Sequence, residues 1–144
     1  MAEREVLLGF RLQISPPRGL TPATGFVFEL ALALYYFERE LRAEGGPLDA
    51  VIRSGFRSLT AADQADLLIW LFFGVEVPEV VLGPLVPVGT GRGADFGADG
   101  GGAALRVFRS DPVLAALAVL YRQHRIDAGQ FLGALGGEVL PAVR

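Results

Sequence analysis

One run of glycines most constrains what this chain can fold into: Gly89-Thr90-Gly91-Arg92-Gly93-Ala94-Asp95-Phe96-Gly97-Ala98-Asp99-Gly100-Gly101-Gly102. Glycine loses more backbone freedom on ordering than any other residue, so this run suits neither helix nor strand. It reads as a loop spanning 89–102. Loops of that length in a compact chain are either functional or without fixed structure. The run divides a mostly helical N-terminal part from a strand and a helical hairpin.

Gly89-Thr90-Gly91-Arg92-Gly93-Ala94 satisfies G-x-G-x-x-G/A and follows a valine-rich segment. A dinucleotide fingerprint needs a helix opening on its third position, so that the helix N-terminus meets the pyrophosphate. Here the chain continues Asp95-Phe96-Gly97-Ala98-Asp99 with more glycine beyond, so that fingerprint fails. A P-loop fails too, because no Gly-Lys-Ser/Thr is present. Calcium-binding glycine/aspartate repeats work by stacking, and one irregular copy does not stack. What survives is weaker: Gly91, Arg92, Gly93, Asp95 and Asp99 as candidate ligand-binding residues, an anion being held by bare N–H groups and Arg92. A divalent cation at Asp95 and Asp99 is a lesser possibility.

The 144 residues suit one domain over 1–144, large enough to bury a core. Hydrophobic residues make up 51% of the chain, a high share that self-association, a partner protein or peripheral membrane contact would relieve. The net charge is −3 with basic residues scattered, which argues against nucleic acid as a partner. All 13 basic residues are Arg, a bias of bacterial-like, high-GC composition. There is no Cys, hence no disulfide, thiolate metal site or Cys nucleophile. The start at Met1-Ala2-Glu3-Arg4-Glu5 does not read as a secretory leader, and Phe26–Phe37, broken by Glu29, is too short to span a bilayer. A cytoplasmic location is the expectation.

Val6 to Ile14 alternates and predicts a half-buried strand, stopped by Pro16-Pro17. Thr21-Pro22 opens a helix expected to run to about Glu44 and to end at Gly45-Gly46. Its first half is apolar nearly all round, which places it at the centre of a core or against another subunit. Glu29, Ala33, Tyr36 and Glu40 share one narrow stripe, read as a seam facing solvent, or with Glu29 as a buried carboxylate. Pro47 to Gly55 predicts a short helix with Leu48, Val51, Ile52 and Gly55 on one face. Thr60-Ala61-Ala62-Asp63 has capping-box spacing and opens another helix that stops at Gly74. Val75 to Val88 reads as one or two short extended segments around Val80-Val81-Leu82, and Ala104 to Arg109 as a third strand. Asp111-Pro112 and Asp127-Ala128-Gly129-Gln130 open two last helices. The expected fold is thus α+β: about five helices packed on a small sheet of about three strands, mostly helical.

No catalytic constellation emerges. His124 is the only histidine and lies between Arg122 and Arg125, a setting for an exposed side chain rather than a base. One His with scattered carboxylates lacks metal-ligand spacing, so neither metal nor cofactor is expected. Asp63/Asp66 fits helix-start chemistry and Glu38/Glu40 a solvated face. The terminal hairpin has helix-turn-helix spacing, but its last helix is small and uncharged and could not read DNA. The sequence therefore favours a non-catalytic interaction or assembly module, binding itself or another protein, with Phe26, Tyr35, Trp70, Phe72 and Phe73 as the candidate interaction face. The alternative is a small-ligand, nucleotide or anion-binding protein using residues 89–102.

Overall fold

The computed structural model describes residues 7–88, 105–136 and 138–140. Strand β1 (Leu7–Ser15) leads to helix α1 (Pro22–Glu38), the hairpin β2 (Leu41–Gly45) and β3 (Asp49–Ser54), and helix α2 (Ala61–Ile69), which continues as a π-turn at Trp70–Gly74. Strands β4 (Glu79–Leu82), β5 (Val86–Val88) and β6 (Leu105–Arg109) follow, then helices α3 (Pro112–Arg122) and α4 (Ala128–Leu135), and finally β7 (Glu138–Leu140).

The architecture is α+β but not about five helices on about three strands. Among the described residues four helices accompany an antiparallel sheet of order β2-β3-β1-β4-β6-β7, and β5 also pairs with β1. Most of the difference lies between residues 39 and 55. The helix expected to reach Glu44 ends at Glu38, because Glu40 adopts a left-handed φ of 58°. Gly45-Gly46-Pro47 is then a hairpin turn rather than the gap between two helices. Gly45 has φ 125°, and the Gly46 N–H donates to the Asp49 carbonyl at 2.9 Å. Asp49–Ser54, expected as helix, alternates as a strand with Ala50, Ile52 and Ser54 buried. Its register against β1, Phe10 opposite Ile52 and Leu12 opposite Ala50, gives those side chains a core to enter. The short β7 beside β6 had no expectation at all.

β4 and β5 form one interrupted strand along one edge of β1. Leu12 faces Leu82 in the first part and Gly9 faces Val86 in the second, so the register slips by one residue across Gly83-Pro84-Leu85. Pro84 cannot donate to a ladder, which is why the break falls there.

The sheet has one dry face and one wet face. Phe10, Leu12, Ile14, Ala50, Ile52, Val80, Leu82 and Phe108 point to the helices and join one core with Phe28, Leu32, Tyr35 and Tyr36 of α1, Leu67 and Leu68 of α2, Leu114 of α3 and Phe131 of α4. The other face carries paired charges. Arg11 binds Asp49 through two bonds at 3.2 Å, Arg53 meets Glu44 at 2.6 Å, and Arg109 meets Glu79 at 2.9 Å. The Arg11–Asp49 pair is largely exposed and adds little stability, whereas the Arg53 side chain is only 11% exposed.

The local start signals act as read. The Thr21 hydroxyl accepts from Thr24 N–H, the Asp111 carboxylate from Leu114 N–H, and Asp127 exchanges bonds with Gln130 in a full capping box. At α2, Asp63 reaches back to the Thr60 N–H at 2.7 Å.

Candidate functional site

Helix α1 carries two apolar stripes. Phe28, Leu32, Tyr35 and Tyr36 are buried against the sheet and α2. Phe26, Val27, Leu30, Leu34 and Phe37 are exposed, Phe26 at 67% and Phe37 at 80%. At 3.6 residues per turn the two sets point about 180° apart. Val27, Leu30, Leu34 and Phe37 follow one another at intervals of three, four and three, the a/d spacing by which one helix packs on another. Ala23, also exposed, extends the same spacing toward the helix N-terminus. Glu29 and Glu38 border the stripe, and both are exposed. Glu29 is therefore not a buried carboxylate.

The C-terminal end of α1 is locked to α2 by aromatic packing. The Tyr35 ring lies 4.5 Å from that of Trp70, and the Arg39 guanidinium sits 3.8 Å above the Tyr35 ring. Burial pushes the Tyr35 phenol up to about 12 despite the nearby Arg39 charge. Trp70 opens the π-turn, closed by a bond from Val75 N–H to the Trp70 carbonyl at 3.2 Å. Beside this turn lies an open groove of about 390 Å³ lined by Arg39, Asp66, Trp70, Phe73, Tyr121 and Arg122 among others. Across its floor the Tyr121 hydroxyl donates to Asp66 Oδ1 at 3.0 Å. Burial and this bond push the Tyr121 phenol up to about 12, so it stays neutral and is no base near pH 7.

The expected interaction residues are thus split. Phe26 belongs to the exposed stripe of α1, Phe73 lines the groove at 42% exposure, and Trp70 is half-buried beside it. Tyr35 and Phe72 are buried in the core at 3% and 4% exposure, so they support the surface from beneath. Four exposed residues, Val27, Leu30, Leu34 and Phe37, were not among the candidates. Their signal was the three-four-three spacing, which aromatic content alone does not reveal. Gly91, Arg92, Gly93, Asp95 and Asp99 lie outside the described residues.

His124 is exposed with a left-handed φ of 60°. Asp63 is held by two bonds from Arg57 at 2.9 Å, and Asp66 by Tyr121, so both members of that carboxylate pair have structural partners. Among the described residues no group of three His, Asp or Glu side chains is placed to hold a metal ion, and no helix is long and apolar enough to cross a membrane.

Comparison with protein-family models, curated proteins and solved structures returned no match.

Proposed function

We propose that this chain is a non-catalytic protein-interaction module that docks through the outer stripe of α1. The observation that carries the reading is the exposure of Phe26, Val27, Leu30, Leu34 and Phe37 on the side of α1 opposite its core-facing stripe. Scattered apolar residues on a surface mean little, but a contiguous stripe of large ones marks a contact. Its spacing suits a helical partner. Its borders argue for protein over membrane, since helices that lie on anionic bilayers flank their apolar face with Lys and Arg, and this one has Glu29 and Glu38.

A photo-reactive residue replacing Leu34, with a control replacing the exposed Arg42 on β2, tests the reading in cells of the native host. Irradiation is expected to give a covalent protein adduct from position 34 and none from position 42. No adduct from position 34, or equal adducts from both, overturns it.

A further inference from the structure

The stripe on α1 has properties that single out one occupant. It is closed under a two-fold axis. A second helix laid antiparallel and centred on position 32 brings Val27 against Phe37 of the other copy and Leu30 against Leu34, so each large side chain meets a smaller or equal one. A parallel pair would instead stack Phe37 on Phe37 at one end and leave Val27 on Val27 at the other. The antiparallel pair also sets the two helix dipoles in favourable opposition. No charged residue stands within the stripe, so nothing in it repels its own copy. Ala31 and Ala33 beside it are small enough for close approach.

The area is also adequate. Taking about 200 Å² for each large residue when fully exposed, the exposed fractions of Phe26, Val27, Leu30, Leu34 and Phe37 come to roughly 600 Å². That is the upper end of the about 300–600 Å² found for the largest apolar patch of a typical monomer, and two such stripes come to about 1,200 Å², the lower end of a stable interface.

We infer that the occupant of the α1 stripe is a second copy of this chain, joined by an antiparallel α1–α1 contact about a two-fold axis. This rests on the reading of α1 as an interaction surface and names its partner. The contact is isologous and therefore closes at two copies.

The chain has no Cys, so an introduced thiol is the sole one. Val27→Cys and Phe37→Cys, each at an exposed position, are purified separately and treated with a short thiol-specific cross-linker, alone and mixed. The mixture is expected to give a covalent dimer, and each variant alone far less. In a parallel pair Val27 and Phe37 of the two copies would lie about 15 Å apart, beyond a short cross-linker. Cross-links within each variant alone, with no gain on mixing, therefore overturn the antiparallel contact. A monomeric mass by light scattering across the micromolar range, with no cross-link in any sample, overturns the second copy as occupant. The interaction reading fails separately. A position-34 adduct to a different protein sinks the self-pairing alone, and no adduct there sinks both. Leu30→Glu with Leu34→Glu is expected to return the protein to monomer with an unchanged circular dichroism spectrum, since neither side chain belongs to the core.

Discussion

The Gln64 side-chain amide donates to the carbonyl oxygen of Gly83 at 3.0 Å, and both residues are buried. Gly83 sits where the strand beside β1 breaks, and its N–H is already used on Arg11 O at 2.9 Å. Its carbonyl needs another partner, because a buried backbone oxygen left unpaired is costly. A polar residue on the buried face of α2 supplies it. Gln64→Leu is expected to destabilise the fold by about 1–3 kcal/mol, the desolvation cost of one orphaned buried group. Urea unfolding would show the midpoint falling with the slope unchanged.

Two glycines should respond in opposite directions to alanine. A Cβ on Gly9 would stand 2.6 Å from the Ile52 carbonyl oxygen and 3.0 Å from Val88 Cγ1. Gly9→Ala must therefore push β1 from β3 or β5, with an expected loss of about 1–3 kcal/mol. Gly25 lies within α1 with nothing inside 4 Å of such an atom. Gly25→Ala is expected to gain up to about 1 kcal/mol from helix propensity. Thermal melts of the two variants check the contrast, and equal shifts would contradict it.

Acid should unfold the protein through specific carboxylates. The Arg11 hydrogen bonds hold Asp49 below the usual carboxylate range. Burial works to raise Asp63, but the Arg57 and Thr60 bonds outweigh it and hold this carboxyl low as well. A pKa depressed on folding contributes stability that is present above the unfolded value of about 3.9 and is lost as pH falls through the folded value. Stability is thus expected to drop below about pH 4. Asp49 is half-exposed, so Asp63 should carry more of the change. Arg57→Ala should flatten the acid dependence, as read by denaturant midpoints from pH 6 to about 3.

Alkali should act through tyrosine. All three tyrosines of the chain are shifted upward: Tyr35 and Tyr121 to about 12 and Tyr36 higher still, chiefly by burial. An acid whose pKa rises on folding stabilises the fold below its unfolded value, about 10 here, and that contribution is lost as pH rises through the folded value. Tyrosinate absorbance is therefore expected to stay low in the native protein past pH 10 and to rise together with unfolding. Asp66→Asn removes the neighbouring charge and should bring Tyr121, which also bonds to Asp66, toward the ordinary range more than Tyr35, which feels only its charge.

Helix starts were legible because they are local. The cap at Thr21, the cap at Asp111 and the box at Asp127–Gln130 each need only three or four consecutive residues, and each forms as read. The β2–β3 hairpin was not legible in the same way. Leu48, Val51, Ile52 and Gly55 fit a helical period as readily as Ala50, Ile52 and Ser54 fit a strand period, and only the edge of β1 settles which is used. Likewise, Tyr35 and Phe72 are aromatic and looked available for contact, yet both are consumed by the core.

The glycine run and helix α1 mark the division between sequence and structure. The sequence by itself determined that a helix opens at Thr21-Pro22 and is apolar on nearly every side through Phe37, since composition and cap suffice for that, but it carried the helix on to about Glu44 where the structure ends it at Glu38. A chain apolar all round gives no angle at which one side differs from the other, so it could not say which side is core. Tertiary structure decided that by placing the sheet and α2 against Phe28, Leu32, Tyr35 and Tyr36 alone. Burial is a property of the neighbours a side chain meets, and residues far apart in sequence supply those neighbours.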